Sequence, residues 1–217
     1  MPNLHDLPPP PALSLGTDLY PIGRIFCVGR NYAAHAAEMG NEVDREAPFY
    51  FTKSARHAVP GDAVLPFPAG TDDLHHEVEL VVALGAGGAP IGYGVGLDMT
   101  RRDLQAAAKD KRRPWDLAKD FEGSAVLGPL APAAGFEARG RAIRLTVNGE
   151  TRQDATLDEM IHDVAAILSH LSGYYALGAG DLVMTGTPAG VGAVRPGDRL
   201  VGSVDGLPDV TLRLTDA

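Results

Sequence analysis

The 217-residue chain lacks the features on which several broad classes of protein depend. Cys27 is its single cysteine, which excludes an internal disulfide framework or a zinc site built on several thiolates and suits a reducing compartment. Basic tracts are missing. The 19 Lys and Arg against 28 Asp and Glu leave a formal charge of −9, a poor basis for coating nucleic acid or an anionic membrane. No long uninterrupted apolar run occurs either. The most apolar stretch, Val78 to Leu97, contains Glu79, Pro90 and six glycines, whereas a bilayer span requires about 20 mainly apolar, helix-competent residues. Met1 to Gly16 carries the run Pro8 to Pro11 and no continuous apolar stretch, unlike a secretory leader. These features predict a cytoplasmic protein with neither nucleic-acid nor membrane partners.

What is present is an ordinary globular balance, 45% hydrophobic and 22% charged. The proline run predicts an extended N-terminal arm over residues 1–21, followed by a single α+β, predominantly β domain over 22–217. Strands are expected at Ile22 to Val28, Phe49 to Thr52, Glu77 to Leu84, Gly92 to Asp98, Asp181 to Thr185 and Asp198 to Val204. The glycines of Gly92 to Asp98 imply close backbone approach. Ile143 to Asn148 and Thr151 to Gln153 read as the arms of a hairpin. Helices are expected at Tyr32 to Met39, with Asn31 as a cap and Gly40 as a stop, and at Arg102 to Lys111. A third spans Met160 to Tyr175, where Ile161, Val164, Ile167, Leu168 and Leu171 share one face.

The most informative segment is Asp73 to Gly85, D-L-H-H-E-V-E-L-V-V-A-L-G. On a strand, Glu77 and Glu79 share a face, with His75 beside them and Val78, Leu80 and Val82 opposite. Adjacent like charges repel unless solvent or a cation compensates them. Asp98 adds a third acid at the end of an otherwise apolar segment, where it either joins the pair or caps the following helix. Three carboxylates without a thiolate suit Mg2+ or Mn2+. His35 and Glu38, three apart on a helix, form either a surface contact or a base oriented to take a proton from water. Lys119 lies among apolar residues, snorkelling or neutralising an anion. Arg102 and Gln105 share a helical face and are candidates to hold a carboxylate, as is the Thr187 hydroxyl in T-G-T-P-A-G-V-G.

Seven motifs occur in order: G-R-N-Y-x-x-H-x-x-E (Gly29 to Glu38), F-x-F-x-K (Phe49 to Lys53), L-H-H-E-x-E-L (Leu74 to Leu80), G-x-D-x-T-x-R-D-x-Q (Gly96 to Gln105), A-K-x-F (Ala118 to Phe121), V-N-G-E-x-R-Q (Val147 to Gln153) and T-G-T-P-x-G-V-G (Thr185 to Gly192). Together they resemble the fumarylacetoacetate hydrolase family over about residues 20–205, nearest its fumarylpyruvate (acylpyruvate) hydrolase branch. The resemblance implies a mixed β-roll, usually a homodimer, with Mg2+ or Mn2+ held by Glu77, Glu79 and Asp98. It implies a water-activating dyad of His35 and Glu38 on a lid, Lys119 near the reacting carbonyl, and Arg102, Gln105 and Thr187 at the substrate's acid end. The activity implied is hydrolysis of a C–C bond in 2,4-dioxo acids, with fumarylpyruvate giving fumarate and pyruvate in gentisate (aromatic) catabolism. Alternatives on the same scaffold are oxaloacetate decarboxylation and hydratase or isomerase action on other 2-oxo acids. A protein of a different class would bind oxo acids without turnover. Two departures bear on the site. The Gly85 to Gly92 connection is shorter than relatives usually carry, so Asp98 must reach the site across it. Ser54 stands where proline commonly follows Lys53, an exchange expected to loosen that loop.

Overall fold

The computed structural model describes residues 8–38 and 46–216. Its frame is a large mixed sheet running in the order Phe49–Lys53, Arg24–Gly29, Asp181–Met184, Val78–Leu84, Pro90–Asp98, Ala125–Leu127 and Ala58–Pro60. A second sheet runs in the order Glu150–Thr156, Ala142–Val147, Arg199–Val204, Val210–Thr215 and Ala63–Pro66. Most pairs are antiparallel, and three are parallel, including Asp181–Met184 on Arg24–Gly29. With four short α-helices among the described residues, this is the expected α+β, predominantly β roll.

The central strand Val78–Leu84 is buried along its whole length because both of its faces are covered. Val78 and Leu80 pack against Ile143, Leu145, Leu200 and Leu212 of the second sheet. Val82 and Leu84 on the same face meet Ile167 and Leu171 of the helix Val164–Ser172. On the opposite face, Val81 and Ala83 meet Leu13 and Tyr20. That contact revises the reading of the N-terminal segment, since Ala12–Leu15 and Asp18–Pro21 pair as a hairpin on the body. The proline run extends only to Pro11; beyond it, Leu13 and Tyr20 supply apolar anchors that polyproline geometry has no means to bury.

Three other expectations are revised. The strand expected from Glu77 is broken there: Leu74–His76 joins a small sheet with Thr100–Arg101 and Gly192–Val194, and Val78–Leu84 joins the large one. The helix expected from Met160 starts after Asp163, whose side chain accepts from the Ala166 amide. The backbone before it is used elsewhere, with the Ile161 amide donating to Asn31 O at 2.7 Å. Asn31 in turn does not cap the first helix, Ala33–Glu38. Its Nδ2 donates to Thr185 O and His162 O, and its Oδ1 accepts from the His162 amide. Gly40, the expected helix stop, lies outside the described residues. The Asn148-Gly149 hairpin turn does form, with both φ values positive (53° and 84°) as an Asn-Gly turn favours.

Candidate active site

Sheet register brings the three acids together. Val78 pairs with Leu97 and Glu79 with Gly96, so the residue opposite Glu77 is Asp98, whose amide donates to Glu77 O at 2.8 Å. Period-2 alternation then places Glu77, Glu79 and Asp98 on one face. The short Gly85 to Gly92 connection turns through Ala86–Gly88 and leaves this register intact. Gly96 explains the lack of a side chain beside the acids: a Cβ there would stand 2.8 Å from Val81 Cγ2 and 3.0 Å from Leu127 Cδ2. The three carboxylates are buried, and one oxygen from each lies within 4.8 Å of the others.

Three buried cations face these three acids. Lys119 Nζ donates to Glu77 Oε2, Asp98 Oδ2 and Thr100 Oγ1, each at 2.7 Å. Arg102 donates to Glu77 Oε1 at 2.5 Å and to Gln105 Oε1 at 2.6 Å. Lys53 Nζ lies 2.8 Å from Asp98 Oδ1 and also donates to the Lys119 carbonyl. The formal charges cancel, yet they are unevenly placed. Burial raises the Glu77 carboxyl, but the Lys119 and Arg102 charges outweigh it and hold the group well below the usual range. Among the described residues Glu79 receives only the Gly186 amide, at 2.8 Å; burial and the neighbouring Asp98 and Glu77 charges push it well above that range. Asp98 Oδ1 has no aligned hydrogen bond despite the nearby lysine. A hard divalent cation among the three oxygens would supply what Glu79 and Asp98 Oδ1 lack, and an all-carboxylate donor set suits Mg2+ or Mn2+.

His35 lies on the same pocket, with Nδ1 3.5 Å from Glu38 Oε2, an ion-pair distance longer than a good hydrogen bond. Burial and the Arg102 charge lower its affinity for a proton against the opposing pull of Glu77 and Glu38. Glu38 also accepts from the Gly190 amide at 3.1 and 3.2 Å. The loop 185–190 therefore touches two parts of the site, through Gly186 at Glu79 and through Gly190 at Glu38, and places Thr187 on the pocket between them. Gly186 has φ +96°, and a Cβ on it would meet Asn31 Cβ at 2.7 Å, so glycine is required.

Of the nine residues singled out in the sequence, eight line this pocket: His35, Glu77, Glu79, Asp98, Arg102, Gln105, Lys119 and Thr187; Glu38 stands behind His35. His75, expected on the carboxylate face, instead lies on Leu74–His76, 3.0 Å from Asp73 and 3.4 Å from Arg102 Nε, because the strand breaks at Glu77. Asp98 does not cap the following helix; Arg101 occupies the cap position.

Sequence reasoning gave no role to Lys53, Arg30, Lys109 or Gln153. Lys53 ends F-Y-F-T-K, and its inward orientation depends on pairing with Ile25, which no local pattern reveals. Arg30 and Lys109 line the pocket, and among the described residues their partners are aromatic rings: Phe49 at 6.0 Å and Trp115 at 5.1 Å. Burial and the Arg102 and Arg30 charges push the Lys109 ammonium down. Ser54 ties its loop down, since its amide, which proline would lack, donates to Asp120 Oδ1 at 2.7 Å.

Comparison with known proteins matches residues 24–215 to the family described as fumarylacetoacetate (FAA) hydrolase C-terminal. The chain is 44% identical over 191 residues to a fumarylpyruvate hydrolase from a Ralstonia species, an alignment covering 82% of this chain and 100% of the relative. It is 40% identical over 199 residues to the oxaloacetate tautomerase YcgM of Escherichia coli (strain K12), covering 86% of this chain and 90% of the relative. A crystal structure of fumarylpyruvate hydrolase from Pseudomonas aeruginosa, in complex with Mn2+ and pyruvate, superimposes with a TM-score of 0.94 at 43% identity, with 100% of both chains covered.

Proposed function

The chain belongs to the fumarylacetoacetate hydrolase family, and from that premise we propose a metal-dependent hydrolase that cleaves a C–C bond in 2,4-dioxo acids, with fumarylpyruvate giving fumarate and pyruvate. The observation that carries this reading is a buried carboxylate triad with Lys119 between two of its members, in a pocket that also holds the His35 imidazole.

In this reading Glu77, Glu79 and Asp98 hold Mg2+ or Mn2+. Bound there, the ion polarises the substrate's oxo oxygens as a Lewis acid. Arg102, Gln105 and Thr187 bind the acid end. His35, whose Nδ1 faces Glu38 at 3.5 Å, takes a proton from water at Nε2; its lowered proton affinity keeps the ring neutral and ready to accept. The water oxygen attacks the distal keto carbon, the bond to the adjacent methylene breaks, and the electron pair passes to the pyruvyl half as an enolate, whose methylene carbon then takes back the proton held by His35 to give pyruvate. Lys119 Nζ, protonated because the Asp98 and Glu77 charges outweigh its burial, exchanges its Thr100 hydrogen bond for one to that developing charge. Arg30 and Lys109, which have no carboxylate partner among the described residues, meet the far carboxylate of the fumaryl group.

Ultraviolet absorbance of fumarylpyruvate with purified protein and Mg2+, with products identified by chromatography, tests the reading. Rapid loss giving equal fumarate and pyruvate, abolished by chelation, is expected. No loss with folded, metal-supplied protein overturns it. A second reading is favoured by the 40% identity to an oxaloacetate tautomerase: enolisation or decarboxylation of oxaloacetate would use the same acids and lysine without an attacking water. Retention of oxaloacetate turnover in His35→Ala, with loss of fumarylpyruvate turnover, would separate the two. The reading extends to a cytoplasmic homodimer acting in gentisate breakdown. Its single cysteine, buried and free, accords with a reducing compartment, and sedimentation equilibrium reads the dimer.

A further inference from the structure

Gln153 is fully buried on Glu150–Thr156, a strand whose other residues are all exposed or half-buried. The register beside it shifts: Leu145 pairs with Gln153 and Thr146 with Thr151, leaving Arg152 as the extra residue of a bulge. Bulges re-aim side chains, and this one accompanies a glutamine that points inward from an edge strand. A buried amide far from water is retained only if its donors and acceptor are satisfied, and here all of them are. Gln153 Oε1 accepts from the Val78 amide at 3.1 Å, with His76 Nδ1 also at 3.1 Å. Gln153 Nε2 donates to Pro188 O at 2.8 Å and to Thr187 Oγ1 at 2.8 Å.

These partners fix the polarity of the chain of bonds without reference to any hydrogen position. The Val78 N–H only donates, so the atom facing it is the amide oxygen. The Pro188 carbonyl only accepts, so the atom facing it is the amide nitrogen. Thr187 Oγ1 therefore receives a hydrogen bond from Gln153, and its own hydrogen is directed elsewhere. Thr187 is buried at the pocket wall beside the acids. We propose that Gln153 is a positioning residue that fills one acceptor site of the Thr187 hydroxyl and turns its hydrogen away from Gln153 and toward the pocket, favouring an anionic acceptor such as the carboxylate of a 2-oxo acid. The inference rests on the reading of Thr187 as a substrate contact. It gives a role to the V-N-G-E-x-R-Q motif: the amide of Val78, lying between Glu77 and Glu79, is linked through one side chain to the group that meets the ligand.

The test is a double-substitution cycle read by KM for fumarylpyruvate and by calorimetric Kd for pyruvate, both with Mg2+. Loss of a hydrogen bond to a charged group predicts a rise of roughly tenfold in both constants for Thr187→Val, with kcat changing less, and recovery in Thr187→Ser. Gln153→Met raises them by a similar factor in the wild-type and Thr187→Ser backgrounds but adds nothing in Thr187→Val. Equal added losses in all three backgrounds would assign Gln153 a purely structural role and overturn the proposal. If Gln153→Met does not fold, Thr187→Val decides alone, because unchanged pyruvate affinity overturns the proposal. Wild-type protein that binds pyruvate with this pattern but leaves fumarylpyruvate intact supports the proposal while removing the hydrolase reading. Wild-type protein that binds no pyruvate overturns both.

Discussion

Lys119 stands where a cation already compensates two of the three acids, and this makes its removal informative. In Lys119→Met, Glu77 keeps Arg102 and Asp98 keeps Lys53, but three buried carboxylates then face two cations. Breaking a buried charge pair by removing one partner costs about 3–5 kcal/mol, so the metal-free variant should unfold at clearly lower denaturant than the wild type. A divalent cation would restore the lost charge, so Mg2+ should stabilise Lys119→Met more than it stabilises the wild type, even though turnover is lost. Denaturant midpoints with and without Mg2+ measure both effects, and an equal Mg2+ increment in the two proteins would count against the triad as the metal site. His35→Ala isolates the proton-transfer role. Fumarylpyruvate kcat should fall about 10²–10⁴-fold with Mg2+ affinity nearly unchanged, because His35 lies on the pocket wall and outside the triad. At this scale placement was legible: the residues that spacing and motif order singled out line one pocket, with Glu38 beside His35. Lys53 and Gln153 escaped because their burial is imposed by the Arg24–Gly29 pairing and by the Arg152 bulge. Nothing in F-Y-F-T-K or R-Q marks a polar side chain as inward.

Between residue and molecule stand the loop and strand ends that aim these groups. The long apolar strands were readable from patterning, whereas the N-terminal hairpin, the short strands and the strand ends were set by long-range partners. Leu74–His76 leaves the large sheet because it pairs with Thr100–Arg101 and Gly192–Val194, a competition invisible within D-L-H-H-E-V-E. Residues 160–163 look helical by periodicity, but Ile161 and His162 are bound to Asn31, and Asp163 offers a better cap than any residue before it. Asn31 thereby braces the loop 185–190 through Thr185 O. Gly186→Ala attacks the same brace, since it requires an L-residue at φ +96° and a Cβ 2.7 Å from Asn31 Cβ. Strain of this kind costs about 1–3 kcal/mol, and the displaced Gly186 amide would leave Glu79 without the one hydrogen bond it has among the described residues. Reduced stability in urea together with weakened Mn2+ binding, followed by electron paramagnetic resonance, is the expected result. The N-terminal hairpin carries a separate prediction. Tyr20 Oη lies 2.9 Å from Leu84 O and 2.7 Å from Asp181 O, and burial pushes its phenol up to about 12. The folded state thus keeps this proton while the unfolded chain loses it near its ordinary value of about 10. The stabilisation is complete below pH 10 and is lost as pH rises toward 12. Tyr20→Phe should lose about 1–2 kcal/mol at pH 7 and decline less steeply between pH 10 and 12, as read from urea midpoints.

For the molecule as a whole, the decisive quantity is the charge of the pocket relative to the rest of the chain. The protein carries −9 formally, so an anionic substrate approaches against the long-range field. The buried acids and the cations Lys53, Lys119 and Arg102 cancel within the pocket, leaving Arg30 and Lys109 as its cations without a carboxylate partner among the described residues. Two exposed or half-buried cations are screened by salt within about 10 Å and give the metal-free site only a weak attraction for an oxo acid. A bound divalent cation changes this balance where screening is least, among side chains removed from water. Metal binding and oxo-acid binding should therefore be coupled: pyruvate binds measurably with Mg2+ present and at least tenfold more weakly after chelation, a coupling of about 1.4 kcal/mol or more. Reciprocity requires pyruvate to tighten Mg2+ by the same factor, so titrating the metal with and without pyruvate gives a second, independent reading. In Glu79→Gln the coupling should vanish along with metal binding, while Lys109→Met should keep it. Lys109→Met should lose more of kcat/KM on fumarylpyruvate than on acetylpyruvate, which lacks the distant carboxylate. Pyruvate affinity that is indifferent to chelation would place the anion site apart from the triad and remove the electrostatic basis for metal-assisted cleavage in this pocket.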